Sequence, residues 1–273
     1  MVDEFDGVFR YFQKKRKPLK LLNDYKGLSI ESEVLVRHVD TSSITVKPES
    51  SQLVCLQTQR KTFIHDSIFP RTIEAGVDKL DILSGEVVLS GFKYSRSGIG
   101  DRRHLRVSPA EPVPSLLKRP DVQESIHGIL LDLSREGLAV KIMKPYPPGF
   151  TQIGVQLIVQ IHLPASPEMS DRLGEERKVE GSSMDTLPFG KVAPMKSTGT
   201  VSGSNLGVQG IVVHFRPEDE YSDRIGIHLL QRDIANEVML RFIRYRQSQL
   251  NNELKKEYAE LVKEETQRLR RER

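Results

Sequence analysis

Two short constellations in this sequence carry residue types able to do recognisable chemistry. The first is Asp101-Arg102-Arg103-His104-Leu105-Arg106-Val107, with three arginines crowded into a polar connection. A guanidinium can grip a phosphate with its planar fork, bond the O6/N7 edge of a guanine, or stack its cation on a base; a lysine does only the first well. The second is Leu131-Asp132-Leu133-Ser134-Arg135-Glu136-Gly137-Leu138. There, Asp132 can accept from base N–H groups and Ser134 can bond its own loop. Gly137 supplies either a positive φ or close approach of the turn to a ligand. Taken singly, the arginines fit a solvated loop and Asp-x-Ser-x-x-Gly fits a turn between strands.

The other reactive residues do not assemble into a catalytic or metal site. The single thiol, Cys55, stands in an apolar strand-like run and is expected in the core. Seven histidines are scattered without His-x-x-x-His or Cys-x-x-Cys spacing. His127, His214 and His228 lie in strand-like segments without an acid or nucleophile beside them in sequence, which favours packing or surface roles. Thr200-Val201-Ser202-Gly203-Ser204-Asn205-Leu206-Gly207 lacks a following Gly-Lys-Ser/Thr and a helix, and is expected as a hairpin turn rather than a phosphate loop. These residues predict no enzyme, no metal and no cofactor.

The elements that must hold the two motifs are mostly short strands. Phe5, Val8, Phe9 and Phe12 recur at helical spacing, so a helix is expected from about Glu4 to Lys15, with a turn at Pro18. The run Lys14-Lys15-Arg16-Lys17 fits a solvated helix end, or a contact with nucleic acid or membrane. Residues 28–95 are rich in short β-branched segments: Glu33–Arg37, Ser43–Val46, Gln52–Leu56 and Glu86–Leu89. Beyond the polar connection Ser95–Asp101, strands are expected at Ile126–Leu131, Leu138–Lys141, Val155–Leu163, Gly199–Ser202, Gly210–Phe215 and Ile225–Leu229. Residues 165–198 lack periodicity and are expected as a long loop or insertion. A final helix is expected from about Asp233 to the C-terminus. Its thin stripe of Leu250, Leu254, Tyr258, Leu261 or Val262, and Leu269 could dock on a second copy of the chain.

In this order and around a strand, the two motifs resemble the PilZ family of cyclic di-GMP receptors. Arg102 and Arg106 match its Arg-x-x-x-Arg, with Arg103 as a common extra, and Asp132, Ser134 and Gly137 match its Asp/Asn-x-Ser-x-x-Gly. The likeness runs on through Gly226-Ile227-His228-Leu229 and the helix near Asp233. More loosely, the first half resembles the accessory β-domain of flagellar-brake-like members. The resemblance implies a mainly β protein: a small N-terminal β-barrel-like domain and a C-terminal six-stranded antiparallel barrel, with an N-terminal helix and a long C-terminal helix. The expected organisation is 1–97 for the first helix and accessory domain, 98–107 for a hinge with the arginines, 108–232 for the barrel, and 233–273 for the last helix. It also implies that Arg102, Arg103, Arg106, Asp132, Ser134 and Gly137 bind cyclic di-GMP. Binding would re-dock one domain on the other and relay a signal to a protein partner in motility, biofilm or secretion control, such as the flagellar motor or a polysaccharide machine. Gly98 and Gly100 fit a hinge and equally an ordinary linker.

Composition bounds these readings. With 37% hydrophobic and 29% charged residues, the 273-residue chain has material for real cores. No apolar run approaches the roughly eighteen residues of a membrane span. The N-terminus lacks the basic start and apolar stretch of a signal peptide, and one cysteine suits a reducing compartment, so a cytoplasmic protein is expected. A formal charge of +4 is ordinary at this length. Two other readings stay open: a PilZ fold used purely as a protein adaptor, and a basic β-barrel for nucleic acid. The second would call for aromatics among the arginines, and none interleave Arg102–Arg106.

Overall fold

The computed structural model describes residues 5–95, 105–164, 204–230 and 234–272. Two compact units emerge: Met1–Ser108 with Arg246–Arg273, and Pro109–Tyr245.

The first unit opens with helix α1 (Asp6–Lys15). Phe9 and Phe12 recur three residues apart and both are buried, joined by Phe5 just ahead of the helix. Their rings meet Phe69, Phe92 and Tyr94: Phe9 lies 4.6 Å from Phe92 and Phe12 stacks on Phe69 at 6.0 Å. Arg16, in the left-handed region at φ 50°, ends the helix, and the amide of Lys17 bonds back to the carbonyl of Phe12. Part of the basic run is structural, since Lys17 donates to Asp66 at 2.9 Å and lies over the Phe12 ring.

Seven antiparallel strands follow in this unit: β1 (Leu19–Tyr25), β2 (Leu28–Val34), β3 (Val36–Val39), β4 (Ser43–Val46), β5 (Lys61–His65), β6 (Ile73–Asp81) and β7 (Glu86–Tyr94). Their order is β2-β1-β5-β6-β7-β4-β3, an open half-barrel. The expected strand at Gln52–Leu56 is instead the middle of helix α2 (Ser50–Gln59). Five consecutive buried residues have neither period, and the flanking polar residues lengthen the run to ten, which favours a helix. Gln52 then fixes the helix to the sheet by donating to Asn23, whose amide in turn donates to Gln59 and to the carbonyl of Lys61. Cys55 is buried as expected.

The second unit is a closed barrel. Strands β9 (Val113–Lys118), β10 (Ser125–Ser134), β11 (Gly137–Met143), β12 (Gln156–Leu163), β13 (Ser204–Pro217) and β14 (Ser222–Leu229) run β11-β14-β13-β12-β9-β10, and β10 pairs β11 to close six antiparallel strands. Alternation puts Leu138, Val140, Ile142, Ile225 and Ile227 inside, as the period of a strand requires. Ser204–Gly207, expected in a turn, belong to β13; the expected strand Gly199–Ser202 and the 165–198 insertion lie outside the described residues.

Helix α3 (Ile234–Arg271) closes the chain. Most of its stripe, expected as a surface for a second copy, packs within this chain, while Leu269 is exposed. Leu250 and Leu254 are buried, and Tyr258, Leu261 and Val262 lie against the core of the first unit. Among the described residues, no helix is long and apolar enough to cross a membrane.

Candidate functional site

The Asp-x-Ser-x-x-Gly motif spans the β10–β11 hairpin. A bulge between Leu130 and Asp132 shifts the register, so that Asp132 pairs with Ala139 and Leu133 with Leu138. This re-aims Asp132 onto the outer face, in the row that continues through Ala139, Gly226 and His214. Ser134 Oγ donates to the carbonyl of Gly137 at 2.9 Å and closes the turn, as expected for a hydroxyl bonding its own loop.

Gly137 is there for a different reason than positive φ. Its φ is not in the left-handed range, and a Cβ there would stand 2.8 Å from the carbonyl oxygen of Ile227 on β14. The glycine lets two backbones approach, so its requirement comes from the barrel wall.

Sequence reasoning missed the partner of Asp132. Only 8% exposed, Asp132 accepts through Oδ2 from the guanidinium of Arg224 on β14. Arg224 stands in a second row, Lys141–Arg224–Arg216, beside the first. Lys141 pairs with Asp219 at 3.1 Å, while Arg216 is exposed. Between the charges the floor is low, because Ala139 and Gly226 carry almost no side chain. The alternation Arg224-Ile225-Gly226-Ile227-His228 carried the signal, since it puts Arg224 on the glycine's face.

Below this row, Tyr146 donates to Asp223 Oδ2, and Lys144 lies 3.2 Å from Asp223 Oδ1. Burial and the hydrogen bond to Asp223 push the Tyr146 hydroxyl up to about 12, so it stays a donor at any physiological pH.

Of the arginine motif, Arg106 is described: it is exposed in the two-residue strand β8 (Arg106–Val107) of the first unit. Arg102 and Arg103 lie outside the described residues. His127, His214 and His228 are exposed on strands.

The second unit is thus an antiparallel six-stranded barrel with an acid–base pair on its outer wall beside a serine-closed turn. No protein-family model and no curated protein matches the chain. Among solved structures, the K. pneumonia MrkH complex with c-di-GMP is similar at 12% identity and a TM-score of 0.40, over 93% of this chain and 97% of that one. E. coli YcgR in complex with c-di-GMP is similar at 12% identity and a TM-score of 0.38, over 92% of each chain. The Bacillus subtilis inhibitor of motility MotI/DgrA is similar at 11% identity and a TM-score of 0.39, over 85% of this chain and 96% of that one. The PilZ domain of E. coli YcgR with c-di-GMP is also a neighbour, at 13% identity and a TM-score of 0.36, over 57% of this chain and 98% of that domain. Of these four, the YcgR domain is the one named as a PilZ domain.

Proposed function

We propose that the chain is a cyclic di-GMP sensor that binds the nucleotide without turning it over. The observation that carries this reading is the Asp132–Arg224 pair on the Ala139–Gly226 floor. A guanine presents N1–H and N2–H donors beside its O6 acceptor. A carboxylate next to a guanidinium offers the complementary acceptor and donor, whereas adenine, with no N1–H and an amino group on C6 in place of O6, meets it wrongly. The low floor leaves space for a flat base. Ser134 and Gly137 shape the turn beside it, and Arg102, Arg103 and Arg106 supply cations for the phosphates and planes for stacking.

Arg106 sits two residues before the unit boundary at Ser108 and Pro109. That position supports a reading in which nucleotide binding alters the arrangement of the units and passes a signal to a protein partner in motility, biofilm or secretion control. Fluorescence transfer between dyes on the two units, with and without nucleotide, tests it: an unchanged signal removes the relay and leaves the binding reading intact.

Calorimetric titration tests the binding reading itself. Cyclic di-GMP is expected to bind and cyclic di-AMP to bind far more weakly, with Arg102→Ala plus Arg106→Ala abolishing the heat. No heat with cyclic di-GMP, or full binding by the double variant, contradicts it. Preferred binding of single-stranded DNA in the same assay would favour the nucleic-acid reading instead.

A further inference from the structure

The first unit holds a buried cation that the binding reading leaves unused. Arg246, on α3, has a side chain only 5% exposed. Its guanidinium makes three bonds: Nε donates to the carbonyl of Ser108 at 3.0 Å, and Nη1 donates to Glu253 at 2.8 Å and Gln249 at 3.2 Å. Ser108 directly follows β8, the strand of Arg106. From the other side, the Ser108 amide donates to the carbonyl of Lys26 at 3.0 Å.

Lys26 and Gly27 form the tight β1–β2 turn, with φ of 51° and 87°, and the Gly27 amide is fixed by Asp24 Oδ1 at 2.9 Å. A Cβ on Gly27 would stand 3.3 Å from the carbonyl of Arg106 and 3.2 Å from the Ser108 nitrogen, so the backbone of β8 lies directly on this glycine. The turn is itself tied to α3. Lys26 Nζ donates to Glu253 at 2.7 Å, and Tyr25 Oη donates to Glu257 at 2.5 Å. The same Glu253 thus bridges Arg246 and Lys26, and those two cations hold its carboxyl ionised against the burial that opposes charge.

Both peptide groups of Ser108 are therefore held, one by the turn and one by a buried guanidinium. A buried, multiply bonded arginine is costly to place unless each donor is satisfied. Here one donor is committed to a connecting backbone just past a ligand-binding candidate.

We propose that Arg246 is a positioning residue for Arg106: through Ser108, α3 and the β1–β2 turn clamp the strand that presents Arg106 to cyclic di-GMP, and so set its affinity. This rests on the reading of Arg106 as a nucleotide contact. Lysine at 246 would offer one compact ammonium in place of the separate nitrogens that reach Ser108 and Glu253.

The test uses the full chain. Arg246→Met keeps an unbranched apolar stem and removes the guanidinium fork. It is expected to weaken cyclic di-GMP binding about tenfold, the factor that freeing roughly one backbone residue entails. Arg246→Lys should fall short of rescue. In an Arg106→Ala background, Arg246→Met should cost less than twofold, since the two act through one strand. Exchange of the Ser108 amide, measured without nucleotide, should quicken in Arg246→Met while the amides of the β5–β6 ladder stay protected. Full additivity of the two substitutions, or unchanged Ser108 exchange, overturns the clamp. Binding by the unaltered chain that Arg246→Met leaves intact overturns this inference alone, whereas no binding by the unaltered chain overturns it together with the nucleotide reading.

Discussion

Replacing Gly137 separates two reasons for a glycine in the Asp-x-Ser-x-x-Gly turn. If positive φ were the requirement, asparagine would be tolerated better than alanine, because its side chain suits the left-handed region. The structure gives the opposite order. A methyl at this position stands 2.8 Å from the Ile227 oxygen, and ordinary contact begins near 3.4 Å. Alanine must therefore push β11 and β14 about 0.6 Å apart, where Gly137 pairs with His228 and Leu138 with Ile227 in the ladder. Overpacking of this kind costs about 1–3 kcal/mol, and the larger asparagine costs more than alanine. Thermal unfolding is expected to fall by about 3–12 °C for Gly137→Ala, given about 3–4 °C per kcal/mol for a unit of this size. The drop should be larger for Gly137→Asn. Asparagine at or above the stability of alanine, by melting or urea titration, would refute the close-approach account.

Three further outcomes follow from the same structure. Arg224→Met should weaken cyclic di-GMP about tenfold or more, as loss of a charge-assisted hydrogen bond entails, and should narrow the preference over cyclic di-AMP; calorimetry with both nucleotides reads it. Burial, with lesser contributions from Asp24 and Glu257, pushes the Cys55 thiol up to about 12, so a thiol reagent at pH 8 should label the native chain far more slowly than the urea-unfolded chain. Asp219 is held at about 2 by Ser222, by Lys141 and by the amide of Tyr221. Because its folded value is depressed, its stabilising contribution is complete above the ordinary carboxylate range of about 4 and is lost as pH falls toward 2. Carboxyl NMR titration should find that low midpoint, and Lys141→Met should raise it.

Alternation made the barrel strands legible. Ile126–Leu131, Leu138–Lys141, Gly210–Phe215 and Ile225–Leu229 all fall within observed strands, and Val155–Leu163 overshoots β12 by one residue, because one face of each is buried and the other solvated. Strand β9 was not, since Pro112 and Pro114 read as loop while Pro114 still takes its place opposite Ile129. Strand β1 was hidden by Leu19 and Leu22, whose spacing continues that of α1 although Pro18 ends the helix first. The single expected strand Glu33–Arg37 is split at exposed Leu35 between β2 and β3, a boundary without a glycine or proline to mark it. At the site, the turn chemistry of Asp132 and Ser134 was visible in their types. The Arg224 partner and the Gly137 approach were not, because both depend on β14 lying beside β11, a pairing of residues far apart in the chain. The Arg246 clamp was equally invisible, since it joins α3 to a turn near the N-terminus.

The most direct test of the account is calorimetric titration of the full chain with cyclic di-GMP, run beside Asp132→Ala and the Arg102→Ala, Arg106→Ala double variant. Saturable binding by the unaltered chain, weakened by the first change and abolished by the second, is the predicted result. An unaltered chain that gives no heat, or variants that bind as it does, would contradict the assignment of these residues to a nucleotide site.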